Sequence, residues 1–468
     1  MDPERWTNRS PGDLSVELPE IVATDAGEAV ARSQAVADEW RRTPLADRIT
    51  GLRNAQIGLR DAAESLARGI AIETGKALRE ARLEVGAVIA KIDLTLADAG
   101  RWLADEHPSD NPHPSLIRRI PRGPAAVIAP FNFPLHLGHG AAVAYLLAGN
   151  PVLFKPSPMA ASVAEAYGQI MAAAFPGGVF QLVQGWGETG RRLAIDARVR
   201  SVCFTGSVAA GRALARELAD DFSKDLALEL GGKNATIVRA DADLDLAAAA
   251  VADAACLTCG QRCNSTSRVI VDRAVLGPFV DRLTAQLARF VPGDPMNEAT
   301  WLGPLVSDAA VRRYAEATAP SGLGEWVVPG RVEECLQGRH GYYVHPAVLV
   351  AEGRSGLPGS ALWQREWFAP VLAVVGSDND DDVLGLHNAG GFGLTTSVFT
   401  RSEPAFRALT DRLQVGNVYA NLPTTFSPST LPFGGLGESG NRHPGGRGFV
   451  RFTTDEQAVQ WLKEGFAP

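Results

Sequence analysis

Apolar residues at helical spacing dominate the first quarter of the chain, from Asp25 to about Ala104. Segments such as DAGEAVARSQAVADEW and ADRITGLRNAQIGLRD place aliphatic residues three or four positions apart, with charged residues between them. This period predicts a run of amphipathic helices. The Pro-rich stretch HPSDNPHPS at residues 107–115 then predicts a break in regular structure.

Beyond residue 122 the pattern changes to short β-branched runs that alternate with Ala-rich helical stretches. The runs AAVIAP, PVLFKPS, VFQLVQ and VRSVCFTGS follow one another in this way, which is typical of βαβ units in a parallel sheet. A second series starts near Ala235 with ATIVR, SRVIVD, PVLAVVG and TTSVFT, and the tail past Gly437 is Gly-rich and then extended. The pattern predicts two α/β domains followed by an extended tail.

Composition narrows the possible function classes. The 468 residues carry a net charge of −8, which argues against nucleic acid as the main partner because phosphate binding needs a dense face of Lys and Arg. The longest apolar runs, such as GAAVAYLLAG, have about half of the ~20 residues that a membrane span needs, and MDPERWTNRS lacks the apolar core of a signal peptide. Five cysteines are too few for a disulfide framework, so we expect a cytoplasmic protein.

Three of the five cysteines fall within eight residues, in the stretch ACLTCGQRCNSTS. A structural zinc site wants four ligands, usually in two pairs, and no histidine lies among Cys256, Cys259 and Cys263. A redox pair in CLTC would have to open a helix after a strand, whereas this segment ends an Ala-rich helical stretch. We interpret Cys256 and Cys259 as small buried side chains. Cys263 differs, because it lies in a polar, Gly-led break where a thiol can be both exposed and activated.

A thiolate nucleophile needs a base or a water-activating partner, and the segment LALELGGKN offers Glu229. This carboxylate lies between apolar residues, so burial is expected to raise its pKa and suit it to general-base catalysis near neutral pH. A paired buried carboxylate is the alternative interpretation of a lone Glu in an apolar run. The presence of Cys263 thirty-four residues later favours the catalytic interpretation.

The segment LELGGKN followed by the Cys of GQRC resembles the aldehyde dehydrogenase superfamily. Other motifs stand in the family order: IAPFNFPL with Asn132, AGNPVLFKPS with Lys155, FTGSVAAG, EWFAPV with Glu366, and LPFGGLGESG. Together they extend from about Asn8 to the C-terminus. Within the superfamily, LVQGWGETG and GESGNRHP resemble the branch of succinylglutamate semialdehyde dehydrogenases, which implies an acid semialdehyde such as N-succinylglutamate 5-semialdehyde as substrate.

The resemblance implies a covalent mechanism for oxidising an aldehyde to an acid. Cys263 would attack the carbonyl as a thiolate, and the Asn132 amide together with the backbone N–H of Cys263 would donate to the oxyanion. Hydride transfer to nicotinamide would leave a thioester, and Glu229 would activate the water that hydrolyses it. In isolation, Asn132 is also explained as a turn residue before Pro134.

The resemblance also implies a dinucleotide site, with NAD as the expected cofactor and no metal. A literal G-x-G-x-x-G occurs in GWGETG at residues 185–190, but the acidic residue that a Rossmann fingerprint requires about 20 residues later is missing. The pyrophosphate is instead expected at GSVAAG, with residues 185–190 near the adenine. The expected cofactor-binding residues are Lys155, Gly206, Ser207, Gly211, Leu230, Glu366 and Phe368.

Several positions depart from the family pattern. Pro158 occupies the place of a Glu that contacts the ribose 2′-hydroxyl in many NAD-using members, which leaves NADP open as the cofactor. Ala141 replaces a frequent Lys, and Ala369 replaces a frequent Gly. The short N-terminus is expected to lack the family's first strands. His136 and His139, one turn apart in NFPLHLGHG, are either substrate contacts or structural residues.

The fold that the resemblance implies is α/β, with two parallel-sheet domains and a small β oligomerisation element. We expect a dinucleotide-binding domain at residues 1–107 and 123–231, a catalytic domain at 232–433, and a bridging element with the tail at 108–122 and 434–468. In the family this element joins protomers, so a homodimer or homotetramer is expected. The alternatives are a coenzyme A-acylating member, a non-catalytic member, and a metal or redox protein built on the cysteines; the water-activating Glu argues against the first.

Overall fold

The predicted helical start of the chain is confirmed in the structure, a computed structural model that describes residues 4–462. Four helices cover the region with the helical period: α1 (Ala26–Arg42), α2 (Leu45–Asp61), α3 (Ala63–Thr74) and α4 (Leu78–Trp102). Asp25 begins α1 because its carboxylate accepts the N–H of Glu28 and caps the helix N-terminus. Gly75 ends α3 in the left-handed conformation, with φ of +76°.

Four short strands precede α1: β1 (Arg5–Trp6), β2 (Arg9–Ser10), β3 (Asp13–Glu17) and β4 (Ile21–Val22). β1 pairs with β4, and β2 pairs with β3. The expectation that this segment lacks first strands is therefore wrong. The strands have two to five residues each, too few for an alternating period to mark them in the sequence.

The first α/β series forms a five-stranded parallel sheet, preceded by β5 (Ser115–Pro121). Its elements are β6 (Ala125–Ile128), α5 (His136–Ala148), β7 (Val152–Lys155), α6 (Ala161–Ala173), β8 (Phe180–Leu182), α7 (Gly187–Ile195), β9 (Ser201–Thr205), α8 (Val208–Glu217) and β10 (Asp225–Glu229). The strand order is β10-β9-β6-β7-β8, so the order reverses between β6 and β9. In a doubly wound sheet the crevice at this reversal, outside the carboxyl ends of the strands, is where ligands bind.

The second series forms a seven-stranded sheet in the order β13-β16-β17-β12-β11-β19-β20, parallel except for β13. The elements after β10 are β11 (Asn234–Val238), α9 (Leu244–Cys256), β12 (Thr266–Asp272), α10 (Leu276–Leu287), α11 (Asp308–Ala317), β13 (Gly324–Val328), β14 (Val332–Leu336), β15 (Arg339–Val344), β16 (Ala347–Ala351), α12 (Ala361–Gln364), β17 (Val371–Ser377), α13 (Asp380–His387), β18 (Phe392–Gly393), β19 (Thr395–Phe399), α14 (Glu403–Thr410) and β20 (Asn417–Ala420). The central strands are buried along their whole length, which explains their continuous β-branched sequences.

The tail forms β21 (Leu436–Gly437) and β22 (Thr454–Gln460). β22 pairs antiparallel with β5 over its full length, from Thr454 opposite Pro121 to Gln460 opposite Ser115. The predicted α/β fold class with two parallel sheets is confirmed. The domain boundaries stay a prediction, and their last part, 463–468, lies outside the described residues. None of the helices in the described part of the chain combines the length and hydropathy needed to cross a bilayer.

Candidate active site

Cys263 and Glu229 lie side by side, although thirty-four residues separate them in the chain. The Sγ of Cys263 is 3.4 Å from Oε1 of Glu229 and donates a hydrogen bond to it. Glu229 is the last residue of β10, and Cys263 lies in the turn that leads into β12. The thiol and carboxylate that the sequence indicated are thus within reach for proton transfer.

Main-chain packing fixes the position of the nucleophile turn. The carbonyl of Cys263 accepts a 2.7 Å hydrogen bond from Nδ2 of Asn234, whose Oδ1 in turn accepts the N–H of Thr395. A Cβ on Gly232 would lie 2.1 Å from the Cys263 carbonyl oxygen. Only glycine therefore allows the segment after Glu229 to approach the turn this closely.

The turn that precedes the nucleophile has a rare backbone conformation. Thr258 and Cys259 both have φ of +54°, and Gly260 follows with φ of +68°. A non-glycine residue in the left-handed region costs about 1–2 kcal/mol, so surrounding contacts must stabilise this turn. One such contact is a 2.9 Å hydrogen bond from the Thr258 N–H to Oε2 of Glu80, a buried carboxylate on α4.

Asn132 lies in the loop after β6 and is buried against the same turn. Its Nδ2 donates a 2.9 Å hydrogen bond to the carbonyl of Gln261. A side-chain amide carries two N–H groups, so one is left for a substrate oxygen. Among residues 4–462, no acceptor pairs with the backbone N–H of Cys263. The structure brings the amide to the nucleophile turn, and its role as oxyanion donor stays a prediction.

Burial changes the acidity of both reactive groups. Burial raises the pKa of Glu229 to about 7, against a smaller lowering by the hydrogen bond from Cys263. Burial also raises the pKa of the Cys263 thiol, and the nearby carboxylates of Glu229 and Glu366 raise it further, whereas Arg262 lowers it. A base with a pKa near neutrality can accept a proton from the thiol and later from water. The raised pKa keeps the thiol protonated at pH 7, so Cys263 needs a base beside it, and Glu229 is within reach.

The other cysteines lie in different settings. Cys256 and Cys259 are buried in the core of the second sheet, and burial raises the pKa of each thiol. Cys203 is buried in the first sheet and Cys335 is exposed, and all five cysteines are free thiols. Within residues 4–462, no group of three or more His, Cys, Asp or Glu side chains is placed to hold a metal ion. The structure thus gives one thiol with a partner base and two core thiols beside it in sequence.

Lys155 ends β7 at the crevice of the first sheet, with its side chain almost completely buried. Within the described residues, its Nζ donates only to the carbonyl of Pro156, at 2.9 Å, and burial lowers its pKa to about 8. A Cβ on Gly190 would lie 3.1 Å from Cδ of Lys155, which places GWGETG beside this lysine. A buried amine with unused N–H groups fits the hydroxyls of an adenosine ribose.

The turn between β9 and α8 supplies the second part of the crevice. Ser207 caps α8 by accepting the N–H of Ala210 at 3.3 Å, and Gly206 is the residue before this cap. A helix N-terminus entered through glycine suits a pyrophosphate. A Cβ on Gly211 would lie 2.6 Å from the Leu230 side chain. Gly211 therefore packs α8 closely against Leu230, and the structure shows this pair as a packing contact.

Glu366 and Phe368 close the crevice from the second half of the chain. Oε1 of Glu366 accepts the N–H of Gly232 at 2.9 Å, and burial raises the pKa of Glu366 to about 7. A Cβ on Gly231 would lie 2.2 Å from Oε2 of this carboxylate. Phe368 has φ of +56°, and its ring meets Phe131 edge-on with centroids 5.9 Å apart. These groups fit the nicotinamide ribose end of a dinucleotide, and their binding role stays a prediction.

The segment YANLPTTFSPST forms a wall next to the nucleophile. The rings of Tyr419 and Phe426 pack edge-on, 5.9 Å apart. Nδ2 of Asn264, the residue after the nucleophile, donates to Oγ of Ser427 at 2.8 Å, and the Asn264 carbonyl accepts the hydroxyl of Thr424 at 2.7 Å. This wall offers hydroxyls and aromatic edges to the tail of an aldehyde.

His136 and His139 lie in α5 with their rings shielded from solvent. Burial lowers the pKa of each ring to about 3, so both are neutral at pH 7. Nδ1 of His139 is hydrogen-bonded to the hydroxyl of Tyr167 at 2.8 Å. This contact makes His139 a structural residue.

Four residues around the site were missed from the sequence: Glu80, Arg262, Asn234 and Asn441. The signal for Glu80 was present, because the helical period of α4 places it on the buried side of the helix together with Leu78, Ala81, Glu84 and Val85. A carboxylate inside an apolar stripe calls for a partner. Arg262 and Asn441 lie in loops and Asn234 is the first residue of β11, and no period marks any of the three.

Comparison with known proteins finds relatives over nearly the whole chain. The aldehyde dehydrogenase family matches residues 4–459. N-succinylglutamate 5-semialdehyde dehydrogenase 1 of Caulobacter vibrioides is 34% identical over 459 residues, which cover 95% of this chain and 93% of that protein.

Two solved structures show the same fold. An NAD-dependent aldehyde dehydrogenase from Sinorhizobium meliloti has a TM-score of 0.91 at 27% identity, covering 100% of this chain and 94% of that chain. A glyceraldehyde-3-phosphate dehydrogenase from Methanocaldococcus jannaschii, solved in complex with NADP, has a TM-score of 0.86 at 26% identity, covering 98% and 100%.

Proposed function

The chain belongs to the aldehyde dehydrogenase family, and on this premise we propose that it oxidises an aldehyde to the carboxylic acid through a thioester on Cys263. The contact of 3.4 Å between Sγ of Cys263 and Oε1 of Glu229 carries the proposal. NAD(P), when bound in the crevice, supplies the acceptor for the hydride that leaves the aldehyde carbon. Lys155, Ser207 and Glu366 would hold this cofactor.

The first half of the reaction forms the thioester. Cys263 gives its proton to Glu229, and the sulfur forms a bond to the aldehyde carbon while the C=O electron pair moves to oxygen. The amide of Asn132 and the backbone N–H of Cys263 stabilise this oxyanion, an effect worth about 100- to 1000-fold in rate per donor. Loss of the hydride from carbon restores the C=O bond and leaves the thioester.

The second half releases the acid. Glu229, deprotonated again by exchange with solvent, takes a proton from a water molecule whose oxygen bonds to the thioester carbon. The C–S bond then breaks, and Cys263 leaves as a thiolate. The pKa of about 7 for Glu229 suits both proton transfers. This water-activating carboxylate is also the reason to favour hydrolysis over transfer of the acyl group to coenzyme A.

The proposed substrate class is an acid semialdehyde such as N-succinylglutamate 5-semialdehyde. The name of the Caulobacter vibrioides relative, which shares 34% of its residues with this chain, supports this choice. The hydroxyl-bearing wall around Thr424 and Ser427 supports a polar substrate tail.

The proposed cofactor preference is NAD with NADP accepted. Pro158 begins a 3₁₀ turn directly after Ser157, so no carboxylate stands at this position to repel a 2′-phosphate. The two solved relatives are named for NAD dependence and for an NADP complex. Pro158→Glu is expected to lower kcat/KM with NADP at least tenfold while leaving kcat/KM with NAD within about twofold.

The test of the function follows reduction of NAD and NADP by absorbance across a panel of aldehydes. The panel runs from short aliphatic and aromatic aldehydes to acid semialdehydes, including N-succinylglutamate 5-semialdehyde. Turnover is expected with the acid semialdehydes and is expected to vanish in Cys263→Ala. Cys335→Ala is the matched control, because it removes an exposed thiol that lies outside the site.

Two outcomes would contradict the proposal. Full activity in Cys263→Ala would exclude the thioester. A product that forms only with coenzyme A present, detected as an acyl-coenzyme A by mass spectrometry, would favour the acylating alternative.

The proposed function also includes an oligomeric state and a cellular location for the enzyme. We infer a homodimer or homotetramer joined through the β5–β22 element, and a cytoplasmic location, which the five free cysteines support. The division into residues 1–107 with 123–231 for the cofactor and 232–433 for catalysis belongs to the same proposal.

A further inference from the structure

We propose that Glu80 is a positioning residue for the active site. Its buried carboxylate, acting through Thr258 and Arg262, fixes the backbone of the turn that carries Cys263, and this turn in turn positions the amide of Asn132. The inference rests on the proposed function in taking Cys263 as the nucleophile. Glu80 is in the first turn of α4, far from Cys263 in the chain.

Glu80, Thr258 and Arg262 form a closed set of hydrogen bonds. The Thr258 N–H donates to Oε2 of Glu80 at 2.9 Å, and Nη2 of Arg262 donates to Oε1 at 2.7 Å. Nε of Arg262 donates to the Thr258 hydroxyl at 2.9 Å, which closes the set. The Glu80 side chain is 4% exposed and that of Arg262 is 14% exposed. Contacts this well shielded from water are those that fix a geometry.

This set supports the strained part of the turn. Thr258 and Cys259 are both left-handed although neither is glycine. Glu80 accepts the N–H of Thr258, the first of these two residues. Arg262, the residue before the nucleophile, donates to the Thr258 hydroxyl. Without these contacts, Thr258 and Cys259 are expected to leave the left-handed region for a backbone conformation of lower energy.

The same turn also fixes the position of the Asn132 side chain. Gln261 donates from its backbone N–H and from Nε2 to the carbonyl of Thr258, at 3.0 and 3.1 Å. The carbonyl of Gln261 then accepts the amide of Asn132 at 2.9 Å. A shift of Thr258 therefore displaces the predicted oxyanion donor together with the nucleophile.

The charge on Arg262 acts on the thiol directly. Among the described residues, the charged groups that face Cys263 are Glu229 from β10, Glu366 from the loop after α12, and Arg262. Of these three, Arg262 alone is positive. A cation near a thiol favours the thiolate. By holding Arg262, Glu80 keeps this cation beside the nucleophile.

A second buried carboxylate on α4 supports the opposite loop. Oε1 of Glu84 accepts the N–H groups of Leu135 and His136, at 3.1 and 3.2 Å, and its other oxygen is paired with buried Lys76. Lys76 and Arg262 both lie over the ring of Phe133, with Nζ at 3.8 Å and the guanidinium carbon at 5.0 Å from the centroid. The first two turns of α4 thus anchor the nucleophile turn through Glu80 and the loop after Asn132 through Glu84.

The test compares Glu80→Gln, Glu80→Ala, Arg262→Gln and the double variant Glu80→Ala/Arg262→Gln with the wild type. Glu80→Gln keeps an acceptor for the Thr258 N–H but loses the charge that holds Arg262. The first measurement is kcat and KM for aldehyde oxidation. The second is the rate at which iodoacetamide alkylates Cys263 across a pH series, quantified on the Cys263 peptide by mass spectrometry.

Glu80→Ala is expected to lower kcat by about 10- to 100-fold, because small misplacements of reacting groups have effects of this size. KM for the cofactor should change less than about twofold, since its proposed ligands lie elsewhere. Arg262→Gln and Glu80→Ala should both slow alkylation at pH 8 about threefold, as a shift of half a pKa unit would. The double variant should match Arg262→Gln in alkylation, because Glu80 acts on the thiol only by holding Arg262 and has no further effect once Arg262 is gone.

Glu73→Gln is the matched control, because it neutralises a buried carboxylate on α3 that accepts the N–H groups of Ser162 and Val163 instead. It should lower the melting temperature without changing alkylation. The inference fails if Glu80→Ala keeps the wild-type kcat and alkylation profile, or if Glu73→Gln shows the same losses. If the wild type does not oxidise aldehydes, the proposed function is wrong. The inference on Glu80 would still be tested, because the alkylation comparison does not depend on aldehyde oxidation. Should Glu80→Ala not fold, Glu80→Gln and Arg262→Gln decide the question.

Discussion

Of the two buried carboxylates whose pKa is raised to about 7, Glu229 is the one in contact with the nucleophile. Glu229 is buried, and its hydrogen-bond partner is the thiol of Cys263. Burial raises its pKa to about 7 because the charged form loses its hydration without gaining a cation. The residue is therefore half protonated at neutral pH, which makes the rate and the stability of the protein depend on pH.

Substituting Glu229 by Gln is expected to remove the part of the pH dependence of kcat that is centred near pH 7. In the wild type, kcat should rise as the pH passes through about 7, because Glu229 must be deprotonated to accept a proton. In Glu229→Gln, kcat should fall by about 100- to 10,000-fold, and this rising limb should disappear. The measurement is kcat between pH 5.5 and 9, with the burst of NADH as a readout of thioester formation. A variant that keeps the limb would show that another group titrates.

The same substitution should raise stability in alkaline solution. The pKa of Glu229 is about 7 in the folded chain against an ordinary value of 4.5, so the folded state binds more protons and stability falls as the pH rises from about 4.5 to 7. The cost is fully present above pH 7. Glu229→Gln should therefore raise the melting temperature more at pH 8 than at pH 5. An equal change at both values would contradict the raised pKa.

Gly231 gives a separate test of the proposed cofactor site. Because its Cβ would lie 2.2 Å from Oε2 of Glu366, Gly231→Ala must displace this carboxylate. We expect KM for NAD to rise about tenfold, measured by steady-state kinetics with saturating aldehyde. Gly86→Ala, in α4 with no atom within 4 Å of its Cβ, is the control and should stabilise the helix by about 0.5–1 kcal/mol. An unchanged KM in Gly231→Ala would remove Glu366 from the cofactor site.

At the scale of elements, the carboxyl end of β10 is held by a segment from the tail. The N–H of Leu230 donates to the carbonyl of Ser439 at 3.0 Å, and the N–H of Asn441 donates to the carbonyl of Leu228 at 2.9 Å. Oδ1 of Asn441 also accepts the N–H of Leu228 at 2.7 Å. The end of the motif LPFGGLGESG and Asn441 thus lie beside β10 as a short edge segment, and their hydrogen bonds fix the backbone on both sides of Glu229.

Loss of the Asn441 side chain should loosen this edge. Asn441→Ala leaves the buried N–H of Leu228 without its acceptor, which costs about 1–3 kcal/mol, and Glu229 loses part of its support. We expect a lower melting temperature and a fall in kcat of about tenfold, with KM for NAD nearly unchanged. Asn379→Ala is the control, because it removes the N-cap of α13 at a cost of about 1 kcal/mol and should affect stability alone. Equal kcat in both variants would deny the segment a role in positioning Glu229.

At the scale of the whole molecule, β22 of the tail pairs with β5, the strand that precedes the first sheet, to form one two-stranded ribbon. The strands pair over seven positions, and Arg119 of β5 forms ion pairs with Glu106 and Glu456 on either side. Four consecutive residues of β22, from Asp455 to Ala458, are exposed. A two-stranded ribbon is only marginally stable in water without further packing, which supports its proposed place in a subunit interface.

Deleting residues 454–468 should therefore change the assembly. The full chain is expected to have the mass of a dimer or tetramer in size-exclusion chromatography with light scattering, and the truncated chain a smaller one. Truncation should also lower the melting temperature, because β5 loses its partner strand. Deleting residues 463–468 alone is the control. A monomeric full chain, or an unchanged mass after truncation, would place the interface elsewhere.

The sequence by itself determined the kind of fold and indicated the pair of side chains that is proposed to react. The helical period of the first quarter and the short β-branched runs beyond it distinguished the helical start from the two βαβ series, because both patterns are local. Cys263 and Glu229 were found because a thiol in a polar break and a carboxylate in an apolar run each break a local rule. The resemblance implied the dinucleotide-binding residues, and Lys155 was expected at the carboxyl edge of the first sheet, where ligands bind.

Only the tertiary structure decided what surrounds that pair. The short strands β1 to β4, the edge segment with Asn441 and the contact of Glu80 with the nucleophile turn all depend on residues distant in the chain. Such contacts arise from packing between elements. Neither Arg262, in a turn, nor Asn234, at the start of β11, belongs to a period that would predict its partner. Glycines 231 and 232 are the clearest example: the sequence shows a flexible pair, and the fold shows that Glu366 and Cys263 occupy the space where their side chains would be.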